Sequence, residues 1–372
     1  MQQLDYLPQE RVVWGRHILA DALVKLSHYG IERPILFTVE PLAGLANEVI
    51  ASIGSDIVGE FLELPPHVPE TAVNNALRAC ESTGAKSIIA LGGGSVLDAA
   101  KAVSHFYQVR HGKILPIAAL PTTLSGSEFS HYFGVTETQG EIKFKRSYAV
   151  RETAPRVVII DPELIRGTPR RLLLSSAIKG IDHAVEGMRL VEADHPHAVL
   201  AASGVARFLG VLNRWPSEGE TQHALDAGSI TLDDLLQLQL AAWQCYFFPA
   251  SVIYGLSHRI GHILGGSFGV PHSLTSCITL APVIEACASF YGDKLRIFNV
   301  RARGREAASA LSSDISGIVT FLGLPSKLRE IGFDRSLISN VAELLVENYP
   351  REVADLGVDA RTKLSDLLES LW

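Results

Sequence analysis

The sequence predicts an α/β domain over residues 1–165, followed by an all-helical domain over residues 166–372. In the first half, short apolar segments rich in β-branched residues alternate with segments of helical periodicity. From about Pro169 onward the strand signals stop, and every later apolar segment has helical spacing. A chain of 372 residues is also long enough for two domains and a large buried core.

Four segments of the first half have the composition of buried strands. Each is a short apolar run that ends near a glycine, proline or aspartate, and they cover residues 33–41, 87–95, 114–123 and 156–164. A helix is predicted over 95–106, and the alternating segment 133–150 predicts a β-hairpin flap. Apolar strands separated by helices predict a Rossmann-like parallel sheet that is covered on both faces.

The second half predicts helices alone. Apolar residues recur at helical spacing over residues 170–191, 197–212, 232–248, 251–266, 313–324, 336–349 and 360–372. We expect a cofactor and a substrate to bind in the cleft between the two domains.

The composition excludes several classes of protein. Hydrophobic residues make up 47% and charged residues 20% of the chain, which indicates a globular protein. The net charge of -7 gives no support for nucleic-acid binding, and no apolar run is long enough to predict a membrane span. The N-terminus lacks a signal-peptide pattern, and the four cysteines lack CxxC spacing. We therefore expect a cytoplasmic protein with reduced, buried cysteines.

A glycine loop predicts a nucleotide site. In IIALGGGSVLDAAK, an apolar strand leads into Gly92, Gly93 and Gly94, and Ser95 then begins a helix. Glycines let a pyrophosphate approach the backbone, and the helix N-terminus supplies free amide groups. The spacing is not GxGxxG, so this motif alone fits a plain tight turn equally well. We assign Asp98 of the same motif to the cofactor site.

A second loop strengthens the nucleotide prediction. PTTLSGSE follows the next strand and brings Thr122, Thr123 and Ser127 to the same rim of the sheet. Glu40 ends an earlier strand, ILFTVE. A carboxylate at that point accepts hydrogen bonds from a ribose diol and repels a 2′-phosphate, which favours NADH over NADPH.

The segment GLSHRIGHILGGSFGVPHS carries three histidines at informative spacing. His258 and His262 share one helix face, and a glycine-rich turn lets His272 return to the same point. Upstream, His183 is a fourth candidate, and Lys179 lies one helical turn before it. Imidazoles from separate segments suggest a metal site, whereas a lysine at the place of a fourth ligand argues against one.

Five ordered motifs resemble the iron-containing alcohol dehydrogenase superfamily over essentially the whole chain. They are GGGSVLDAAKA, PTTLSGSE, VVIIDPEL, DHAVEG and SHRIGHILGGSFGVPHS. The resemblance implies an NAD(P)-dependent carbonyl or alcohol reaction and a helical C-terminal domain like that of dehydroquinate synthase. PTTLSGSE has two residues between its threonines and GSE, and GLSHRIGHILGGSF has the form of the maleylacetate reductase branch. That branch implies reduction of a small oxo acid in the catabolism of aromatic compounds.

In metal-dependent members of that superfamily, an Asp four residues before the first His completes a ligand set with three histidines. His183, His258 and His272 match those histidines, and Lys179 stands at the Asp position. A charged ammonium has donors and no acceptor, so it cannot ligate a metal. Asp182 projects about 100° away from His183 on a helix and is a poor substitute. We therefore expect no bound metal.

The resemblance also assigns the remaining roles. Lys179 is expected to stabilise the developing alkoxide with the histidines, and His262 matches the position near the nicotinamide, where it relays a proton. The expected substrate-binding residues are His131, Tyr132 and Arg259, with Lys143, Lys145 and Arg146 as further cationic candidates. His131 and Tyr132 depart from the family pattern, so a bulkier oxo acid than maleylacetate is also open.

Two alternatives remain at this stage. One is an Fe- or Zn-dependent alcohol dehydrogenase in which Lys179 is displaced. The other is a non-redox protein, either a lyase of the dehydroquinate synthase type or a catalytically silent nucleotide-binding protein. The resemblance suggests a homodimer, in which the segment RVVWGRH pairs with the second subunit.

Overall fold

The computed structural model describes residues 3–139, 142–298 and 302–372. The strands in this part of the chain are β1 (Arg11–Trp14), β2 (Pro34–Phe37), β3 (Gly59–Phe61), β4 (Ser87–Gly92), β5 (Ile117–Pro121), β6 (Tyr132–Gln139), β7 (Ile142–Ala149) and β8 (Val157–Ile160). Six of them form a parallel sheet in the order β1–β8–β5–β4–β2–β3, and β6 pairs with β7 as an antiparallel hairpin. The predicted parallel sheet and hairpin are both confirmed.

The four central strands are those predicted from the sequence. β2, β4, β5 and β8 are buried along their whole length, which explains their uninterrupted apolar composition. The register pairs Ile35 with Ile88 and Ile88 with Ile117. The carboxyl ends of β2, β4 and β5 therefore meet at one edge of the sheet, where the glycine loop and PTTLSGSE both follow.

The two edge strands differ from expectation. β1 and β3 consist of half-buried and exposed residues, so they lack the apolar run that predicts a strand. Arg11–Trp14 pairs with β8 of its own chain, with Arg11 opposite Val157. Because β1 is the edge strand of the sheet, its expected pairing with a second subunit stays a prediction. The homodimer itself stays a prediction.

Helices cover both faces of the sheet and form the rest of the chain. They are α1 (Leu19–Val24), α2 (Ala43–Ile53), α3 (Glu70–Thr83), α4 (Gly94–His111), α5 (Arg170–Glu186), α6 (Pro196–Leu212), α7 (Thr221–Asp226), α8 (Leu232–Cys245), α9 (Leu256–Phe268), α10 (His272–Ala286), α11 (Ala288–Tyr291), α12 (Arg305–Phe321), α13 (Ile338–Asn348), α14 (Pro350–Val353) and α15 (Ala360–Leu371). The fold class predicted from the sequence is confirmed.

Helix α5 is the centre of the helical half. It is buried from Leu173 to Glu186 and packs against α6, α8, α9 and α10. The helix predicted over residues 251–266 begins later, at Leu256. Gly255 has an extended backbone there, with φ -93° and ψ -158°, and forms the N-terminal cap. The segment 252–255 is consequently irregular and crosses the end of α5.

The hydrophobic core does not separate at residue 165. One buried cluster runs from a face of the sheet into the helices and reaches Leu371, whereas the cluster on the other face ends at Leu164. The domain boundary stays a prediction. In the described ranges no single helix is long and apolar enough to cross a membrane. One pair of helices bent by 67°, α10 with residues 288–298, has the length and composition of a membrane span when the two are taken together.

Candidate active site

The four predicted histidines and Lys179 meet where α5, α9 and α10 pack together. Ring centroids lie 5.4 Å apart for His183 and His258, 4.9 Å for His258 and His262, and 5.6 Å for His262 and His272. His183 and His258 are buried, whereas His262 and His272 are half-buried. These four residues form what we call the histidine cluster, and its accessible side is the side of His262 and His272.

Lys179 lies inside the protein beside this cluster. Its residue is 3% exposed, which rules out a side chain that extends to solvent. Its Nζ donates hydrogen bonds to Asp182 Oδ2 at 2.8 Å and to His258 Nδ1 at 3.0 Å. Because an ammonium only donates, His258 Nδ1 is the acceptor and its ring proton is on Nε2.

Asp182 is closer to the centre of the site than helical geometry alone predicted. Its Oδ2 accepts from Lys179 and from Ser276 Oγ, at 2.6 Å, and lies 4.0 Å from His258 Nδ1. The side chain leans back over the preceding helical turn and so reaches the residue three positions earlier. The expectation that Asp182 points away from the site is wrong in this respect.

Burial, assisted by the charge of Lys179, favours the neutral form of the neighbouring imidazoles. Burial is the main cause that lowers the pKa of His183 and His258 well below the ordinary value, and the ammonium of Lys179 adds to it. A neutral imidazole is both a donor and an acceptor, so the centre combines one fixed positive charge with adaptable hydrogen-bonding groups.

These residues do not fit the metal that the superfamily resemblance raises. A divalent ion needs a lone pair from each ligand. The lone pair of His258 Nδ1 is taken by the ammonium of Lys179. That ammonium has no lone pair of its own, and its positive charge would repel the ion. Among the residues that the structure describes, no group of three or more His, Cys, Asp or Glu side chains is arranged to hold a metal ion. We therefore derive no chemistry through a metal.

Two tyrosines that the sequence did not single out cover the buried histidines. Tyr246 stacks on His183 with ring centroids 4.0 Å apart, and Tyr254 stacks on His258 at 4.7 Å. The hydroxyl of Tyr246 donates to Ser130 Oγ at 3.3 Å. Aromatic residues recur throughout the core of such a chain, so no sequence signal separates these two from ordinary packing residues.

A buried carboxylate fixes the start of α9. Glu186 accepts hydrogen bonds from the Tyr291 hydroxyl at 2.9 Å and from the backbone N–H of His258 at 3.3 Å. Burial and the nearby charge of Asp182 raise the pKa of Glu186 to about 8. The backbone contact is that of an acceptor at a helix N-terminus, so Glu186 positions the turn that carries His258.

The predicted cofactor loops touch each other at the carboxyl edge of the sheet. A Cβ atom on Gly93 would lie 2.9 Å from Thr123 Cγ2, and one on Gly94 would lie 3.2 Å from Ser125 Oγ. The hydroxyls of Thr123 and Ser125 are buried and have no hydrogen-bond partner within the described residues. Ser95, half-buried, stands in the first turn of α4, whose N-terminus is open to an anion. The loops thus offer glycine backbone, unpaired hydroxyls and free helix amides together.

Other predicted cofactor residues hold the loops in place. Lys101, which is fully buried, donates to Ser127 Oγ at 2.7 Å and approaches Asp98 Oδ1 at 3.1 Å. Ser127 Oγ in turn donates to Asp98 Oδ1 at 2.6 Å. Thr122 is fixed through its backbone N–H, which donates to the carbonyl of Gly92 at 3.0 Å. Asp98, Thr122 and Ser127 therefore join the two loops to each other.

Glu40 lies beyond the end of its strand. β2 stops at Phe37, and Glu40 is an exposed residue at the start of a short 3-10 turn over Glu40–Leu42. Thr38, between them, is buried with an unpaired hydroxyl within the described residues. Both lie at the same carboxyl edge of the sheet as the glycine loop.

The hairpin forms a wall beside the histidine cluster, because β7 packs against α9. His131 is buried at the base of the hairpin, where burial and the charges of Lys101 and Arg151 lower its pKa to about 4. Tyr132 is 41% exposed, and its ring lies 4.0 Å from that of His131. The two residues therefore lie together at the base of the hairpin, and their contact with a substrate stays a prediction.

The predicted cationic anchors are less available than expected. Arg259 Nε donates to Glu352 Oε1 at 2.9 Å, and its guanidinium lies 5.0 Å above the ring of Tyr349. Arg146 is paired with Glu137 at 3.5 Å. The partners of both arginines lie on other segments, which sequence spacing does not show. The side chains of Lys143 and Lys145 fall outside the described part of the chain.

Comparisons with known proteins agree with this geometry. The family model for iron-containing alcohol dehydrogenase matches residues 8–162, and that for the C-terminal part of the Fe-containing alcohol dehydrogenase family matches residues 240–355. Maleylacetate reductase from Delftia acidovorans is 30% identical over 348 residues, which cover 91% of this chain and 90% of the relative.

Two further relatives extend the match over nearly the whole chain. Maleylacetate reductase 1 from Cupriavidus pinatubonensis is 30% identical over 369 residues, which cover 99% of this chain and 95% of the relative. The crystal structure of an iron-containing alcohol dehydrogenase from Corynebacterium glutamicum has a TM-score of 0.81 at 25% identity, and the match covers 100% of this chain and 96% of that one. The chain therefore belongs to the iron-containing alcohol dehydrogenase family, on its maleylacetate reductase branch, and is an oxidoreductase.

Proposed function

We propose that this oxidoreductase is an NADH-dependent reductase of an oxo acid that works without a metal, with maleylacetate as the first substrate to test. The observation that carries the proposal is the buried ammonium of Lys179, held between Asp182 and His258. The similarity to two maleylacetate reductases supports the substrate class. His131 and Tyr132 at the base of the hairpin make a bulkier oxo acid the second substrate to test.

The loops at the sheet edge fit a dinucleotide. Gly93 and Gly94 bring the backbone close to a pyrophosphate, and the unpaired hydroxyls of Thr123 and Ser125 supply donors beside it. Glu40, exposed at the same edge, is suited to a ribose diol and repels a 2′-phosphate. These features support NADH as the preferred cofactor.

The chain's own residues then act on the carbonyl group. The cofactor, when bound, would supply a hydride, which in maleylacetate goes to the C=C bond conjugated with the ketone and in a simple oxo acid to the carbonyl carbon. The ammonium of Lys179 stabilises the negative charge that develops on the carbonyl oxygen, in a site from which water is largely excluded. Asp182 holds this ammonium in place from the opposite side, and His258 presents Nε2–H as a further donor. His262, on the accessible side of the cluster, is suited to relay protons to solvent.

Metal analysis combined with a reductase assay tests the proposal. Protein purified without chelator should hold far less than one equivalent of iron or zinc, and it should oxidise NADH with maleylacetate in the presence of EDTA. Near-unit metal content, with activity lost on chelation and restored by metal, would establish a metal-dependent alcohol dehydrogenase instead. Binding of NADH without oxidation by any oxo acid would favour a non-redox lyase.

A further inference from the structure

Tyr254 has a hydroxyl group that the fold buries and leaves unused. The residue is 5% exposed, and among the described residues its hydroxyl has no hydrogen-bond partner. An unpaired buried hydroxyl costs stability, because it has lost its water without gaining a protein partner. At the centre of a candidate active site, an unpaired buried hydroxyl indicates a group that bonds to a ligand.

The ring of Tyr254 packs against the two buried histidines of the cluster. Its ring stacks on His258 at 24° between the planes and lies 5.6 Å from the ring of His183. Gly255, the next residue, caps α9 and lies against Glu186, so this tyrosine is held at a fixed point before the helix.

The hydroxyl remains a donor throughout the working pH range. Burial, together with the nearby phenol of Tyr246, raises the pKa of Tyr254 well above its ordinary value. The neighbouring donors differ from it, because Lys179 is already bonded to two groups and the Tyr246 hydroxyl is bonded to Ser130. Within the described part of the chain the Tyr254 hydroxyl makes no hydrogen bond by distance and angle, although the Tyr246 hydroxyl is close enough to interact with it. Its proton is therefore available to a bound ligand.

We propose that Tyr254 is a catalytic residue that hydrogen-bonds the carbonyl oxygen of the substrate and gives that oxygen its proton. The inference rests on the proposed reductase function. In maleylacetate, hydride from the reduced nicotinamide forms the new C–H bond at the C=C bond conjugated with the ketone, and the π electrons move onto the carbonyl oxygen as an enolate. In a simple oxo acid the hydride goes to the carbonyl carbon and the oxygen becomes an alkoxide. In both cases the oxygen takes the proton of the Tyr254 hydroxyl, and the phenolate recovers a proton from solvent. The enol formed from maleylacetate then returns to the ketone. Lys179 supplies positive charge during this step and keeps its own protons.

The test is Tyr254→Phe, which removes only the hydroxyl and retains the ring stacked on His258. We expect kcat and kcat/KM for the oxo acid to fall together by about 10²-fold or more, as for loss of a general acid. The affinity for NADH should be unchanged. The melting temperature should stay equal or rise, because the substitution removes an unpaired buried polar group.

Tyr148→Phe is the matched control. It deletes the hydroxyl of a half-buried tyrosine in the hairpin, but that hydroxyl already donates to Glu137 Oε1 at 3.1 Å. We expect Tyr148→Phe to melt at a lower temperature and to retain most of kcat. Tyr254→Phe with kcat within about twofold of the wild type, or with a stability loss that accounts for its lost activity, would overturn the assignment.

Binding measurements separate this inference from the proposed function. If the wild type reduces no oxo acid, the proposed function fails, and the hydroxyl is then tested with oxamate, which carries a carbonyl beside a carboxylate. Calorimetry should show oxamate binding at least about tenfold weaker to Tyr254→Phe than to the wild type, as expected for loss of one hydrogen bond in a buried site. Equal affinities, or no binding to either protein, would overturn the role of Tyr254.

Discussion

Lys179→Met separates the structural role of this lysine from its catalytic role. The substitution keeps the length of the side chain and removes its charge. The side chains of Lys179 and Asp182 are 4% and 0% exposed. Without the ammonium, the buried carboxylate of Asp182 would retain, among the hydrogen bonds of the described residues, the one from Ser276. Loss of one partner from a buried pair typically costs about 3–5 kcal/mol in the free energy of unfolding. We expect Lys179→Met to fall in that range.

The double variant Lys179→Met/Asp182→Asn removes both charges. An asparagine retains an acceptor for Ser276, so the unfolding free energy should return to within about 2 kcal/mol of the wild type. The activity should not return, because no positive charge is left beside the reacting oxygen, and kcat should stay about 10²-fold low. Urea denaturation and NADH oxidation, measured on the wild type, both single variants and the double variant, give the coupling energy and the activity together.

Two results would refute this reasoning. A Lys179→Met protein within about 1 kcal/mol of the wild type in unfolding free energy would show that the buried pair contributes little. A double variant with wild-type kcat would show that the charge of Lys179 has no part in the reaction, and the account of a metal-free centre would fall with it.

Three further predictions follow from the same structure. Glu40→Ser should narrow the preference for NADH over NADPH, and equal efficiency with both cofactors in the unmodified protein would contradict the role of this carboxylate. Lys179→Asp should complete a ligand set with three histidines of the cluster, so this variant should bind zinc in metal analysis and lose the native reaction. Burial raises the pKa of Glu128 from 4.5 to about 7, so its contribution to stability is complete below about pH 4.5 and is lost as the pH rises through 7, by about 3 kcal/mol in total. Glu128→Gln should therefore flatten the decline of the urea midpoint between about pH 5 and about pH 8, and an unchanged slope would show that Glu128 is already ionised at low pH.

The sequence predicted the parts of the site that depend on local spacing. His258 and His262 share a helix face because they are four residues apart, and Gly92–Gly94 follow a buried strand directly. Such features follow from helical and strand periodicity, which the chain carries locally. Lys179 was identified as the unusual residue for the same reason, since it lies one turn before His183.

The parts that the sequence did not predict depend on contacts between distant segments. Glu352 neutralises Arg259 from 93 residues away, and Tyr246 reaches His183 from another helix. The pairing of Asp182 with Lys179 is local, but the direction of the side chain depends on Ser276 of α10, which holds the carboxylate. Sequence periodicity predicts which residues share a face of a helix, but it does not predict which other segment packs against that face. These contacts can therefore be identified only from the tertiary structure.

Gly126 restricts which residues are compatible at two distant positions, 126 and 246. Its φ of +77° is in the left-handed region, and a Cβ atom there would lie 2.8 Å from Cδ1 of Tyr246, the ring that stacks on His183. A side chain at position 126 would therefore collide with the aromatic ring that stacks on His183, even though residue 126 belongs to the predicted cofactor loop PTTLSGSE. We expect relatives with a larger residue at 126 to carry a smaller one at 246. A smaller residue at 246 relieves this contact but not the strain of the left-handed backbone, so substitutions at 126 should remain destabilising even when position 246 is changed with it.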